Sequence, residues 1–281
     1  MSRSPKHAPD LTGVSETALM TLAVRATEAR RPDGIIDDPM AILLMDSIDA
    51  DFAKFGFTRR QDMALRANLF DHYTRRYLRD HPKATVVALA EGLQTSFYRL
   101  DTTGGVGHDF SWLSVDLPPM IELRKAILPG SDRITECAQS ALDFSWMDRV
   151  DAGNTADDGV FITAEGLLMY LQPEEAMSII RECAARFPGG QMIFDLPPSG
   201  FAALARRGMR TSLRYRVPPM PFSLTVAEAA DLVNTVPGVR AVHDLPAEPA
   251  RGRLLNALLW TWQRLPLLDP LRPLTTLLEF G

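Results

Sequence analysis

The sequence predicts an α/β fold built on a mostly parallel sheet, and three observations carry that reading. Short runs rich in apolar and β-forming residues recur at Thr85–Leu89, Phe110–Val115, Gly159–Ala164 and Gln191–Phe194. They are largely apolar rather than alternating, as strands buried on both faces are. Helical stretches, Pro118–Leu128 and Pro173–Phe187, lie between them; strands alternating with helices mark βαβ units. Three of the runs stop at an acid, Asp116, Glu165 and Asp195, and the first runs into a turn holding Glu91 and Gly92. Right-handed crossovers gather such strand ends on one edge of the sheet, where ligands bind.

In chain order, residues 1–13 are polar and Pro-containing and read as a flexible arm. Ser15 is placed to cap a helix in which Leu19, Leu22, Ala23 and Ala26 recur at three and four. Arg30-Arg31-Pro32 ends it. Pro39 opens a short helix to about Ser47, because proline suits a first turn. A third helix runs from about Gln61 to Leu78, with Met63, Ala67, Phe70, Tyr73 and Tyr77 on one stripe. The strand pattern begins at Ala84. The texture shifts at Ser199–Leu224, which holds Arg206, Arg207, Arg210, Arg214 and Arg216 and then Pro218-Pro219-Met220-Pro221. This segment reads as an insertion or lid. Thr225 caps a helix to about Thr235, and Val239–His243 and Leu274–Phe280 close the sheet. The tail from Trp260 to Leu278 is apolar enough to pack on the core or on a partner. The organisation expected is a helical cap over 1–80 and a core over 81–281 with an insertion at 199–224.

The chain has 281 residues, 46% hydrophobic and 23% charged. That is an ordinary globular balance, long enough to bury a core without staples. A net charge of −5 argues against an extended nucleic-acid footprint, which needs a basic surface, but leaves room for a local basic patch. Cys137 and Cys183 lie far apart, with no CxxC or Cys/His cluster. Neither a disulfide framework nor a metal site is expected; two buried thiols are. No apolar leader opens the chain, and no apolar run reaches the roughly 18 residues of a membrane span. A cytoplasmic protein without a membrane partner is the expectation.

Acids at strand ends serve either as helix caps or as ligand groups. Gly92 and Asp116 stand the roughly 20 residues apart that suit a carboxylate on the ribose of a nucleotide-like cofactor. The turn Ala90-Glu91-Gly92-Leu93-Gln94-Thr95-Ser96 carries one glycine where a dinucleotide fingerprint needs three. A pyrophosphate would meet Cβ atoms there. A cofactor of adenosine with a charged amino-acid tail fits better, its cationic groups favouring acids such as Glu165.

Several segments, in order, resemble the leucine carboxyl methyltransferase family, closest to its bacterial branch with tetracenomycin-type polyketide O-methyltransferases. They are Gly13-Val14-Ser15-Glu16-Thr17-Ala18, the run Val86–Thr95, Val115-Asp116-Leu117-Pro118 with Ile121–Arg124, Ser140-Ala141-Leu142-Asp143-Phe144, and Ala164-Glu165-Gly166-Leu167-Leu168-Met169-Tyr170-Leu171. The resemblance covers nearly the whole chain. It implies a Rossmann-like class I methyltransferase: a mostly parallel seven-stranded sheet with helices on both faces, plus N-terminal helices and a lid insertion. It also implies S-adenosylmethionine as cofactor. Ala90, Glu91 and Gly92 would approach its methionine part, and Asp116, beside Leu117, the ribose hydroxyls. Ala141, Leu142, Asp143 and Phe144 would line the adenine site. Glu165 would meet the amino group and Arg66 the carboxylate. The chain departs from the family at Ala90, often Gly, at Gln94, often Asp, and at Ser96, often Arg.

The expected activity is O-methyl transfer to a small-molecule carboxylic acid such as a polyketide, with no nucleic-acid or membrane partner. A carboxylate is ionised near neutral pH and needs positioning and desolvation, not a general base. His72, His81, His108 and His243 are scattered and read as structural or exposed. A hydroxyl acceptor would need a base, with Tyr170 or His243 as candidates. Arg214 and Arg216, with Tyr170, are candidates for docking the acceptor, and Pro218, Met220 and Phe222 for an apolar wall. Two alternatives stay open on the residues alone: a cofactor-binding protein with weak or no catalysis, and a nicotinamide-dependent oxidoreductase on the same sheet type.

Overall fold

The computed structural model describes residues 6–9, 11–102, 105–151 and 158–281. Seven strands form one sheet: β1 (Thr85–Leu89), β2 (Ser111–Asp116), β3 (Ile134–Ala138), β4 (Val160–Ala164), β5 (Gln191–Leu196), β6 (Val239–Asp244) and β7 (Leu274–Phe280). Their order is β3-β2-β1-β4-β5-β7-β6. The first five pair in parallel, and β7 runs antiparallel between β5 and β6. β1 and β4 are buried at every position, which is why their runs are apolar without alternation. The strand order reverses between β1 and β4, so a ligand crevice opens above their C-terminal ends.

The helices are α1 (Thr17–Ala29), α2 (Pro39–Ser47), α3 (Asp62–Asp80), α4 (Ser96–Thr102), α5 (Pro118–Ile127), α6 (Met147–Asp151), α7 (Pro173–Arg186), α8 (Ser199–Arg206), α9 (Val226–Ala230), α10 (Leu232–Thr235) and α11 (Arg253–Arg264). Proline opens α2, α5 and α7, where its missing N–H costs nothing. Thr225 caps α9 as expected, its hydroxyl accepting from Glu228 N while the Glu228 carboxylate accepts from Thr225 N. The helix expected to run on to Thr235 breaks at Asp231 into α9 and α10. Ser15 is not a cap: α1 starts at Thr17, and the Ser15 carbonyl accepts from Ala18 N in the preceding turn. The arm is also different from the expectation. Residues 1–5 and 10 lie outside the described residues, but His7 bridges Ile48 in parallel and Leu11 is buried.

Among the elements that escape sequence reading, two do so for clear reasons. β3 is an edge strand, Ile134-Thr135-Glu136-Cys137-Ala138, with one fully buried position; it lacks an apolar run. α4 spans seven residues, too few for a periodic pattern.

α1 to α4 are tied to the first strand's turn by a buried charge cluster. The Asp38 side chain caps α2 through Ala41 N at 2.9 Å, and it also pairs with Arg99 Nη1 at 2.7 Å and Arg25 Nε at 3.4 Å. Thr95 Oγ1 donates to it at 2.7 Å. Arg99 forks onto Asp71 of α3, at 2.6 and 2.9 Å. Arg25 Nη2 donates to the Leu93 carbonyl at 2.6 Å. Burial alone would raise the Asp38 pKa, but the Arg99 and Arg25 guanidiniums outweigh it and hold it below its ordinary value. The arrangement fixes where the helical cap meets the sheet edge. Arg99→Ala leaves Asp38 and Asp71 without their shared partner; the expected loss is about 3–5 kcal/mol of unfolding free energy, read by urea denaturation.

Candidate active site

A cavity of about 830 Å³ opens at the C-terminal edge of the sheet, in the size range of ligand sites. Its floor is the turn after β1. Ala90 sits at φ +48°, the one non-glycine residue in the left-handed region among those described. Gly92 follows at φ +57°, and a Cβ there would lie 3.3 Å from the Ala18 Cβ of α1. Position 92 therefore needs glycine for conformation and for space.

Asp116 closes the turn from β2. Its Oδ2 accepts from Gly92 N at 2.6 Å and its Oδ1 from Leu117 N at 2.7 Å. The carboxylate lines the cavity. Burial pushes its pKa up, against the pull of those two N–H groups. Arg124 of α5 fastens the turn from behind, donating to the carbonyls of Gly92 and Gln94 at 2.9 and 2.7 Å. It also pairs with Glu91 Oε1 at 2.9 Å. The Glu91 carboxylate thus packs on Arg124 behind the turn, where burial raises its pKa. Its side chain braces the turn through Arg124, while Glu91 also lines the cavity beside Ala90 and Gly92.

The second group of charges stands across β4 and β5. Arg66 of α3 donates through Nε to Glu165 Oε1 at 2.9 Å and through Nη1 to Asp195 Oδ2 at 3.1 Å. Asp195 Oδ1 accepts from Gly166 N at 2.6 Å. Gln94 Nε2 also donates to Glu165. Gln94 replaces the family's acid with a neutral donor, so no second carboxylate faces Glu165 at that point. Burial raises the Glu165 pKa against the opposing Arg66. The ordinary cost of burial on Arg66 is outweighed by Asp195 and Glu165, and its pKa is raised.

These residues fit a cofactor made of adenosine and an amino-acid tail. Asp116 offers a held carboxylate to vicinal hydroxyls. Two acids shared by one guanidinium leave negative charge for an ammonium and a sulfonium, and Arg66 is a donor for a carboxylate. Leu117, Met120, Ala141 and Leu142 line the far end with apolar surface. Asp143 and Phe144 do not reach the cavity. Asp143 is exposed and caps the short turn over Phe144–Trp146, its Oδ1 accepting from Ser145 N at 3.2 Å, and Phe144 packs against the core. Gln139 and Ser140 line the cavity beside Ala141; they follow β3, the strand the sequence hides.

Beyond the charges the wall turns apolar, through Met169, Leu196, Phe201, Val217, Pro218 and Met220. Tyr170 lines it, while Phe222 is buried in the core outside the lining. Arg214 and Arg216 do not line it, which corrects their expected place. Residues 210 and 216 form an antiparallel bridge, so side chains alternate between the two faces. Tyr215 and Val217 point inward, and Arg214 and Arg216 are exposed. Arg214 reaches Asp51 at 2.6 Å, docking the hairpin on the helical cap, where Phe55 meets Tyr215 edge-on at 4.7 Å. None of these four histidines, His243 included, lines the cavity. His72, His108 and His243 pair with Glu248, Asp101 and Glu279, and His81 stacks on Tyr77. Cys137 and Cys183 are free and buried.

Asp195 was visible as a strand-end acid in the same position as Asp116 and Glu165, and that shared position is the signal that marks it. Tyr215, which lines the cavity, had no such signal. The left-handed Ala90 supplies a direct test of the turn. Ala90→Gly relieves a conformation that costs an L-residue about 1–2 kcal/mol. A stabilisation of about 0.5–1 kcal/mol is expected after the added unfolded-state freedom is subtracted, read as a rise in Tm.

The sequence profile of the leucine carboxyl methyltransferase family matches residues 18–184. The tetracenomycin polyketide synthesis O-methyltransferase TcmP of Streptomyces glaucescens is 32% identical over 233 residues, 82% of each chain. The S-adenosyl-L-methionine-dependent methyltransferase dpfgK of Gibberella zeae is 29% identical over 82% of this chain and 81% of its own. In structure, a DUF574 family protein from Streptomyces avermitilis superposes with a TM-score of 0.58 at 12% identity, covering 95% of this chain and all of that one, a likeness of fold. With the turn, Asp116 and the Arg66 cluster in place, these matches leave no room for the nicotinamide reading: the chain belongs to the leucine carboxyl methyltransferase family and uses S-adenosylmethionine.

Proposed function

We propose that this chain is an O-methyltransferase whose acceptor is the carboxylate of a small apolar molecule, with an aromatic polyketide as the model. The observation that carries this is the chemistry of the acceptor wall. Its titratable side chains include Tyr170 and Tyr215, and burial raises the pKa of both phenols. They stay protonated at neutral pH and act as donors, not bases. Such a wall suits an acceptor that is already anionic. The name of the TcmP relative supports both the oxygen acceptor and the polyketide class.

The cofactor, when bound, supplies the methyl group as a sulfonium carbon open to in-line displacement. The chain's own residues position and desolvate. Asp116 holds ribose hydroxyls while its oxygens keep the Gly92 and Leu117 amides in line. Glu165 and Asp195, steadied by Arg66 and Gln94, set the amino-acid tail. Phe201, Val217, Pro218 and Met220 strip water from the acceptor, so positioning and desolvation do the work of a base. The hairpin over 209–217 acts as a lid that selects the acceptor through Tyr215 and Val217.

The test pairs aromatic carboxylic acids with their decarboxylated phenols, using isotopically labelled methyl donor and mass-spectrometric product analysis. Base-labile methyl esters are expected from the acids, with kcat nearly constant from about pH 6 to 9 because the acceptor pKa lies near 4. Methylation of the phenols alone, with a rate rising with pH, would contradict the carboxylate reading. Cofactor binding with no product across the panel would leave a binding protein without turnover.

A further inference from the structure

The rim of the cavity is unlike the rest of the surface. The chain has a net charge of −5, yet residues 199–220 and 249–268 together carry eight arginines and no acidic residue. Both segments line the cavity, the first through Phe201 and Pro218 and the second through Leu255 and Leu259. Arg206, Arg207, Arg210, Arg216, Arg253 and Arg264 have no carboxylate partner among the described residues. Arg264 instead lies over the Trp260 ring at 4.2 Å.

The same rim exposes large apolar side chains. α11 has no fully buried residue among those described. Leu255 and Leu259 face the cavity, whereas Leu254, Leu258 and Leu265, spaced at four and seven, share a neighbouring face that is open to solvent. Leu254 is 90% exposed. Leu204 of α8 and Leu271 are also exposed, and the Ser199 hydroxyl meets the Pro270 carbonyl, so these two elements adjoin. Phe201 and Leu271 belong to both the outer face and the cavity lining.

We infer that this rim docks on a lipid surface bearing anionic headgroups, with α11 lying against it and the cavity mouth opening toward it. Leucines flanked by arginines are the pattern of a helix seated at a headgroup boundary, and arginines gain from anionic lipid. A second copy fits poorly. A two-fold dimer sets the same patch against itself, so unpaired arginines would face arginines. The sequence-based expectation of no membrane partner came from the lack of a spanning run, and no described helix is long and apolar enough to cross a membrane; surface docking needs no span. An apolar acceptor held in lipid would then meet the cavity without crossing water, whichever of its oxygens is methylated.

The test is co-sedimentation of the full chain with vesicles of phosphatidylcholine alone and of phosphatidylcholine mixed with phosphatidylglycerol. Binding to the mixed vesicles, released by raised salt, is expected. The double variant L254S/L258S should lower partitioning by about tenfold or more. R253Q/R264Q should erase the preference for the anionic vesicles. All four positions are exposed, so unchanged circular dichroism and Tm accompany these losses. Failure of the wild type to pellet with either vesicle overturns the proposal, as does equal pelleting of wild type and L254S/L258S. A dimer seen by sedimentation velocity and dissolved by L254S/L258S would give this face to a second copy and overturn it too.

Discussion

The site depends on how the turn after β1 is held from three sides. Asp116 grips its Gly92 amide from within the cavity. Arg124 takes its carbonyls from behind. Arg25 and the Asp38–Arg99 pair fasten its far end to the helical cap. Buried ions add little net stability when replaced by apolar groups, but they are costly to break and demand one geometry. Here that geometry sets the distance between Asp116 and the Glu165–Arg66–Asp195 cluster. The strained Ala90 is held in the left-handed region by the same surroundings.

Much of the fold was legible because buried parallel strands write themselves as apolar runs. Thr85–Leu89 needed no correction, and proline and threonine marked several helix starts at the right residue. The acids after those runs were legible for the same reason, since strand ends on one edge converge. What stayed hidden lacks local pattern. β3 is a polar edge strand and α4 is too short for periodicity. The Arg99 fork depends on Asp38 and Asp71, partners 61 and 28 residues away that nothing local announces. Glu91 and Asp116 look equivalent as acids beside a turn, and both line the cavity, but the fold pairs one with the Arg124 guanidinium and the other with backbone amides.

The arginine-rich segment shows the same lesson at the acceptor end. Composition alone placed Arg214 and Arg216 over the ligand. Strand alternation sends them outward and brings Tyr215 and Val217 inward. Phenols and apolar side chains then line this part of the cavity, while the arginines join α11 on the outer rim. The hairpin's arginines and its inward Tyr215 thus lie on opposite faces of the same short segment.

The central claim is that the Asp116 carboxylate, held on the Gly92 and Leu117 amides, binds the cofactor's ribose. Calorimetric titration of S-adenosylhomocysteine into wild type and Asp116→Asn tests it most directly. The account predicts measurable heat for the wild type and an affinity lower by about tenfold to a hundredfold in the variant, the cost of losing a charge-assisted hydrogen bond. Equal affinities, or no heat from a folded wild-type protein, would contradict it.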